Sequence, residues 1–407
     1  MSKPSIGIIR EGKIPPDARV AFTPEQCSHL MSEGWTISVQ SSPHRCYPDA
    51  DYIKAGVPVV EDVSNADVLI GIKEVPIEQL IPNKTYFFFS HTIKKQVHNR
   101  GLLQAMIEKN IAMIDYEVLT DENHERLIAF GHFAGVVGAH NGLYTYGQRT
   151  GLFHLPRMNS FPHYEDAREY YSTVQWPPIK IVLTGKGRVG MGAAQVLDDM
   201  GFQSVAPSDF LSKEYSTAVY TQLDVLDYVK KKSGGEFQKK EYYTHPELFE
   251  MDFMKYLAVA DIFINGIFWD KKSLAFFTLS DIQRTDFFTK VIADITCDIA
   301  PDSSVPTTIK ASTIEDPVFG FSRKTLQECK PYTEESIDIM SIDNLPNELP
   351  RDASNSFGEK FISVILPELM NEDSAVIRRA TMTKQGSLTE EFSYLSDFVM
   401  HDIAQNI

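Results

Sequence analysis

Apolar residues gather in short runs along this chain, and the runs alternate with helical stretches and turns. Ile6-Gly7-Ile8-Ile9 opens as a strand, and further strands are predicted at about 36–40, 67–72, 85–90 and 111–116. Between the first two, Thr23 with Pro24 and Gln26 makes a capping-box start to a helix that turns Cys27, Leu30 and Met31 inward and stops at Gly34. A second helix is predicted near 99–110. This is α/β order. From Phe133 to Gly151 the chain reads as a helix rich in small residues, Ala134, Gly135, Gly138, Ala139, Gly142 and Gly147, which allow close backbone approach. It is read as a connection packed between domains. Residues 151–177 and about 210–244 read as surface excursions, the second carrying Lys230-Lys231-Lys232-Ser233-Gly234-Gly235 as a solvated helix end and loop.

The strongest local signal begins almost halfway along. Residues 177–210 read as strand, glycine turn, helix and second strand, with Gly185, Gly187 and Gly190 spaced as G-x-G-x-x-G after Ile179-Lys180-Ile181-Val182-Leu183-Thr184. That spacing lets the backbone turn tightly, approach a pyrophosphate and start a helix whose N-terminus attracts phosphate. The acidic residue expected about 20 positions later for an adenosine ribose falls nearest Asp209, which serves equally well as a cap or loop residue after Pro207-Ser208. Residues 261–267 and 290–295 then read as buried parallel strands, and a long amphipathic helix follows from Asn355. The predicted architecture is α/β in two domains: a Rossmann dinucleotide-binding domain over 141–345 and a discontinuous Rossmann-like substrate domain. Residues 1–140 form the first segment of that substrate domain, and the C-terminal helices of 346–407 complete it.

Composition narrows the partners. A formal charge of −16 with no long basic run speaks against nucleic acid or an anionic membrane, so any anionic ligand must be met by local cations. Apolar runs fall short of a membrane span, and Met1-Ser2-Lys3-Pro4 leads directly into the first strand, so a cytoplasmic protein is expected. Cys27, Cys46, Cys297 and Cys329 are scattered, which suggests neither a disulfide framework nor a metal site. Oligomeric state is open; a homo-oligomer is compatible with the sequence.

Polar residues close the apolar runs. Lys73 ends Val68-Leu69-Ile70-Gly71-Ile72, and His91 ends Tyr86-Phe87-Phe88-Phe89-Ser90. The carboxyl ends of strands in an open α/β sheet face the ligand crevice, where a desolvated lysine and a histidine serve as acid–base groups. Glu74 beside Lys73 also allows a plain surface ion pair. Arg10 and Arg19 offer cations at the same edge, suited to a carboxylic acid substrate, and Glu117 and Asp298 end further runs as tuning groups or helix caps.

At these residues the chain resembles a family. Asp17-Ala18-Arg19-Val20-Ala21-Phe22-Thr23-Pro24, Gly71-Ile72-Lys73-Glu74, Phe88-Phe89-Ser90-His91-Thr92-Ile93-Lys94, Ile114-Asp115-Tyr116-Glu117, Ile264-Asn265-Gly266-Ile267-Phe268-Trp269 and Ser341-Ile342-Asp343-Asn344-Leu345-Pro346 resemble the alanine dehydrogenase and saccharopine dehydrogenase superfamily. Within it they are most similar to the lysine-2-oxoglutarate reductases. The resemblance implies an NAD- or NADP-dependent oxidoreductase interconverting saccharopine with lysine plus 2-oxoglutarate. It implies proton transfer by Lys73 and His91, and substrate contacts at Arg10, Arg19, Glu74, Lys94 and Glu117. Coenzyme contacts are implied at Gly185, Gly187, Arg188, Val189, Gly190, Asp209, Arg149, Asn265, Gly266, Ile267, Asp298, Asn344, Leu345 and Pro346. The chain departs from the family at Tyr144, where the fungal enzymes place an arginine, and at Ile299-Ala300-Pro301, where relatives often carry glycines. Two alternatives are an amino acid or opine dehydrogenase with another amine, and a nucleotide sensor without turnover.

Overall fold

The computed structural model describes residues 3–400. They divide into two compact units, one formed by the described residues up to Ala129 and from Pro350 onward, and the other by Phe130–Leu349. In the first unit, strands β1 (Ile6–Ile8), β2 (Ile37–Gln40), β3 (Val59–Val60), β4 (Val68–Ile70), β5 (Thr85–Phe88) and β6 (Ala112–Asp115) pair in parallel. Helices α1 (Pro24–Ser32), α2 (Asp49–Lys54) and α3 (Arg100–Glu108) lie among them in the chain. β4 is wholly buried, as its unbroken apolar run requires. The capping box forms at Thr23 and Gln26, and α1 buries Cys27 and Leu30 while Met31 stays half-buried.

The C-terminal segment joins this unit through more than helices. Thr381–Lys384 adds an antiparallel strand beside β6, and Ser387–Leu388 pairs outside it, giving an eight-stranded sheet in the order hairpin, β6, β5, β4, β1, β2, β3. Helix Pro350–Lys360 and the turn after it press Phe357 and Phe361 onto aromatic rings. Phe361 meets Phe22 at 5.2 Å and Phe87 at 5.4 Å between ring centroids, and Phe357 meets Tyr116 at 5.1 Å, edge to face.

In the second unit, β7 (Lys180–Thr184), β8 (Gln203–Ser204), β9 (Val219–Leu223), β10 (Val229–Lys231), β11 (Phe249–Met251), β12 (Ile262–Asn265), β13 (Val291–Asp294), β14 (Val318–Ser322), β15 (Glu328–Cys329) and β16 (Ser336–Met340) appear in chain order. Eight of them form one sheet ordered β15, β14, β16, β13, β12, β7, β9, β8, and β10 pairs with β11 as a separate ribbon. The chain leaves β7 in one direction to β8 and β9 and in the other to β12, so a switch point lies at the carboxyl end of β7.

Helices α4 (Gly131–Thr150), α5 (Tyr164–Tyr171), α6 (Arg188–Asp199), α7 (Pro207–Ser212) and α8 (Lys239–Thr244) complete the elements used below. α4 lies wholly within the second unit, and its glycines serve close packing there. A Cβ on Gly135 would stand 1.9 Å from the Val189 carbonyl oxygen, and one on Gly142 would stand 2.9 Å from Ala293 Cβ.

Both supposed surface excursions are structural. Residues 151–177 contain α5 and bury Leu155, Met158, Ala167 and Tyr171 in the core. His140 meets that segment at both ring nitrogens, 2.8 Å from Tyr171 Oη and 2.7 Å from the Pro156 carbonyl. Residues 210–244 contain β9, which sits directly beside β7. Thr221 and Gln222 break the apolar run of β9 and hid it from a periodicity reading.

Candidate functional site

In the first unit the sheet order places the carboxyl ends of β6, β5, β4 and β1 in a row, and each carries a titratable group. Glu117 follows β6, His91 follows β5, Lys73 and Glu74 follow β4, and Glu11 follows β1. The predicted strand at 85–90 stops at Phe88, and His91 takes a left-handed backbone conformation with φ 52°. Such a conformation costs energy for a non-glycine residue and concentrates at functional turns. It lets His91 Nδ1 approach Glu74 Oε1 to 2.5 Å. Glu74 also meets Lys13 Nζ at 3.2 Å. Burial alone would raise the Glu74 carboxyl, but the His91 bond and charge and the Lys13 charge outweigh it and hold the group at about 2. Glu74 is therefore ionised and accepts only, so Nδ1 carries the proton and Nε2 of His91 presents its lone pair.

Lys73 is held from behind. Glu11 Oε1 accepts the Ile72 amide at 2.6 Å and Oε2 accepts the Lys73 amide at 2.8 Å, which fixes the backbone where the strand ends. Burial pushes the Lys73 ammonium below the ordinary lysine range, and the charges of Arg19 and Lys13 push the same way against Glu74 and Asp17. Glu11 itself is raised to about 8, first by burial and then by Asp17, with the two amides and Arg19 opposing. Sequence reading passed over Glu11; its only signal is a glutamate one residue after Arg10 at the end of the first strand.

The predicted cations separate. Arg19 is buried and grips Asp17 in a fork, Nε to Oδ1 at 2.9 Å and Nη2 to Oδ2 at 2.6 Å. Its charge acts on Lys73 from that fixed position. Arg10 lines another cavity of about 430 Å³ with Gln40 and Tyr86, whereas Lys13 and Glu74 line one of about 400 Å³ with Asn99. Lys94 is exposed. Glu117 receives Arg126 at 3.3 Å on Oε1, and its buried Oε2 has no hydrogen-bond partner among the described residues.

In the second unit the glycine turn forms at the switch point. Gly185 has φ 94°, and a Cβ there would stand 2.6 Å from the Gly266 carbonyl oxygen. A Cβ on Gly190 would stand 2.0 Å from the Gly185 carbonyl oxygen, so α6 packs on β7 only without a side chain. Around Gly187 nothing lies within 4 Å of the Cβ position. The tight turn, the close helix and the open middle glycine fit the pyrophosphate of a dinucleotide at the start of α6. A cavity of about 460 Å³ opens there, lined by Gly185, Gly187 and Asp224 with aromatic side chains including Tyr242, Tyr243 and Phe268.

The family model described as alanine dehydrogenase/PNT, N-terminal domain, matches residues 7–137. Over 446 residues the chain is 29% identical to the mitochondrial alpha-aminoadipic semialdehyde synthase of Rattus norvegicus, covering 97% of this chain and 48% of that protein. The chain thus spans about half the length of that relative. It is 26% identical over 378 residues to the NAD(+), L-lysine-forming saccharopine dehydrogenase of Neurospora crassa, covering 89% of this chain and 91% of the other. A solved L-alanine dehydrogenase shares the fold at a TM-score of 0.65 and 16% identity, over 97% of this chain and 98% of its own.

These likenesses support the alanine dehydrogenase and saccharopine dehydrogenase superfamily for this chain, with residues 7–137 matching its N-terminal domain.

Several of the expected coenzyme contacts are engaged elsewhere. Asp209 lies on α7, pairs with Lys213 at 2.9 Å and does not line the cavity. The reason is topological: β8, which precedes α7, is the edge strand, and β9 takes the place beside β7. The acidic residue at the carboxyl end of β9 is Asp224. Arg149 faces Asp338 at 2.7 Å and the Thr333 carbonyl at 2.8 Å, a clamp on the amino-terminal half of β16. The Asn265 side chain is buried between Thr184, Asp294 and Ser304, whereas Gly266 and Ile267 line the cavity together with Phe268 and Trp269. Leu345 and Pro346 are buried, and Leu345 belongs to the core packed around α4. Arg188 is exposed, Val189 half-buried, and Asp298 and Asn344 half-buried after β13 and β16.

Proposed function

We propose that this chain is a nicotinamide-dependent oxidoreductase of the CH–NH class that interconverts saccharopine with lysine and 2-oxoglutarate. The observation that carries this reading is the row of acid–base groups at neighbouring strand ends, Lys73 with its lowered ammonium pKa beside the bonded pair Glu74 and His91. A nicotinamide dinucleotide with its pyrophosphate at the Gly185–Gly190 turn would supply the hydride.

The amine and the ketone condense with loss of water, and hydride addition to the resulting imine gives a secondary amine. Two proton movements are needed, one at the amine nitrogen and one at the oxygen that leaves as water. Lys73 and His91 divide them between Nζ and Nε2. A lysine whose ammonium is destabilised by burial and by Arg19 and Lys13 releases its proton more readily than a solvated one, which suits it to accept and return protons. Glu74 holds the imidazole in one tautomer and orientation. The unpartnered Oε2 of Glu117 suits the cationic amine of lysine, because a buried carboxylate oxygen without a donor is costly until one arrives. The carboxylates of the substrate call for cations, and Arg10, Lys13 and Lys94 are candidates to meet them.

The name of the Neurospora relative, an L-lysine-forming saccharopine dehydrogenase, agrees with this reaction. The test follows NADH and NADPH absorbance with lysine plus 2-oxoglutarate, and separately with pyruvate plus ammonia. Oxidation in the first mixture is expected. Oxidation only in the second makes the chain an amino acid dehydrogenase of another specificity, and coenzyme binding with no turnover in either makes it a sensor.

A further inference from the structure

The cavity at the glycine turn contains one ion pair, and its position bears on which coenzyme enters. Asp224 stands at the carboxyl end of β9, the strand beside β7, where a dinucleotide fold presents its acidic residue to the adenosine ribose. Its Oδ1 accepts the Val225 amide at 2.6 Å, which fixes the carboxylate, and its Oδ2 accepts Lys239 Nζ at 2.9 Å. Lys239 begins α8, within the segment joining the ribbon strands β10 and β11, and it lines the same cavity together with Lys186 of the glycine turn. Asp227 lies close by, but its carboxylate is turned to the Asp224 amide at 2.8 Å.

A lone carboxylate at this place accepts hydrogen bonds from ribose hydroxyls and repels a 2′-phosphate. Here a lysine already rests on it. The Lys239 side chain is 54% exposed and that of Asp224 is 24% exposed, so the lysine is free to swing while the carboxylate is held. Resting on Nζ of Lys239, the dianion of a 2′-phosphate would find a cation in place, with Lys186 as a second one at the turn.

We propose that the Asp224–Lys239 pair reads the 2′ position of the adenosine ribose, Asp224 taking a free hydroxyl and Lys239 taking a 2′-phosphate, so that this chain binds both NAD(H) and NADP(H). The inference rests on the dinucleotide reading above and specifies it.

Coenzyme affinity of the full chain, measured by titration calorimetry without substrate, tests it. In the unmodified protein NADH and NADPH should bind within about tenfold of each other. Lys239→Met should weaken NADPH about tenfold relative to NADH. Lys239→Arg, which keeps the charge, should restore NADPH. Asp224→Asn should move the ratio the opposite way, weakening NADH and strengthening NADPH. A ratio that stays within about twofold in both Lys239→Met and Asp224→Asn, or equal weakening of both coenzymes, overturns this assignment while leaving the dinucleotide site intact. Failure of the unmodified protein to bind either coenzyme overturns the dinucleotide reading itself, and this inference with it.

Discussion

The Nδ1 nitrogen of His91 lies 2.5 Å from Oε1 of Glu74, so a side chain at the end of β5 is bonded to one at the end of β4. The bond fixes the imidazole plane and leaves Nε2 to do chemistry. Replacing Lys73 or His91 by alanine should lower kcat by about 10²- to 10⁴-fold, and Glu74→Ala on the order of a hundredfold through a disordered imidazole. Coenzyme affinity should stay near that of the unmodified protein, because these residues belong to the first unit and the glycine turn to the second. Full turnover in both Lys73→Ala and His91→Ala would show the pair to be structural.

Glu11 predicts a pH dependence of stability. Its carboxyl is raised from 4.5 to about 8 in the folded chain. Between those values the folded state holds a proton that the unfolded state has released, so the number bound on unfolding falls and stability declines as pH rises. The contribution is complete below about 4.5, is lost through about 8, and amounts at most to about 1.4 kcal/mol per pH unit in between. Glu11→Gln should therefore show a shallower fall of melting temperature from pH 5 to pH 8. Melting curves that track each other across that range would refute it.

Arg149 separates a structural role from a coenzyme contact. Its partner Asp338 is fully buried, and Arg149→Ala would leave that carboxylate without a cation, held only by the Tyr332 amide and the Ser336 hydroxyl. A loss of about 3 kcal/mol is expected in denaturant titrations, with NADH and NADPH affinities of the folded fraction unchanged. Selective loss of coenzyme binding at undiminished stability would return Arg149 to the coenzyme site.

Gly135→Ala tests the packing of α4 on α6. The added methyl would stand 1.9 Å from the Val189 carbonyl oxygen, a distance that forces the helices apart. Destabilisation of about 1–3 kcal/mol is expected. The same change at Gly187, where the Cβ position is open, should leave the melting temperature nearly unchanged and act on coenzyme affinity.

Much of this was readable beforehand. Strands β1, β2, β4, β5 and β6 of the first unit and β7, β12 and β13 of the second were legible in the sequence, and the cap at Thr23 and Gln26 formed as its residues require. Lys73 and His91 were visible because a polar residue at the end of a buried run has one sensible destination. Glu11 was not, since its partners are backbone amides about 60 positions away, and nothing local marks an amide that will need an acceptor. Counting residues from the glycine turn leads to Asp209 and not to Asp224, because it assumes that the next strand lies beside the first. In this sheet β9 intervenes, and strand order is a property of long-range pairing.

The sequence by itself determined the alternation of strands and helices, the glycine turn and the polar residues at strand ends, because each depends on the chemistry of residues within a few positions. Tertiary structure alone decided which strand ends are neighbours. It paired His91 with Glu74, set Glu11 behind Lys73, took Arg149 away to Asp338 and brought Asp224 to the glycine turn. Those outcomes depend on burial and on contacts between residues far apart in the chain, and only the folded sheet specifies them.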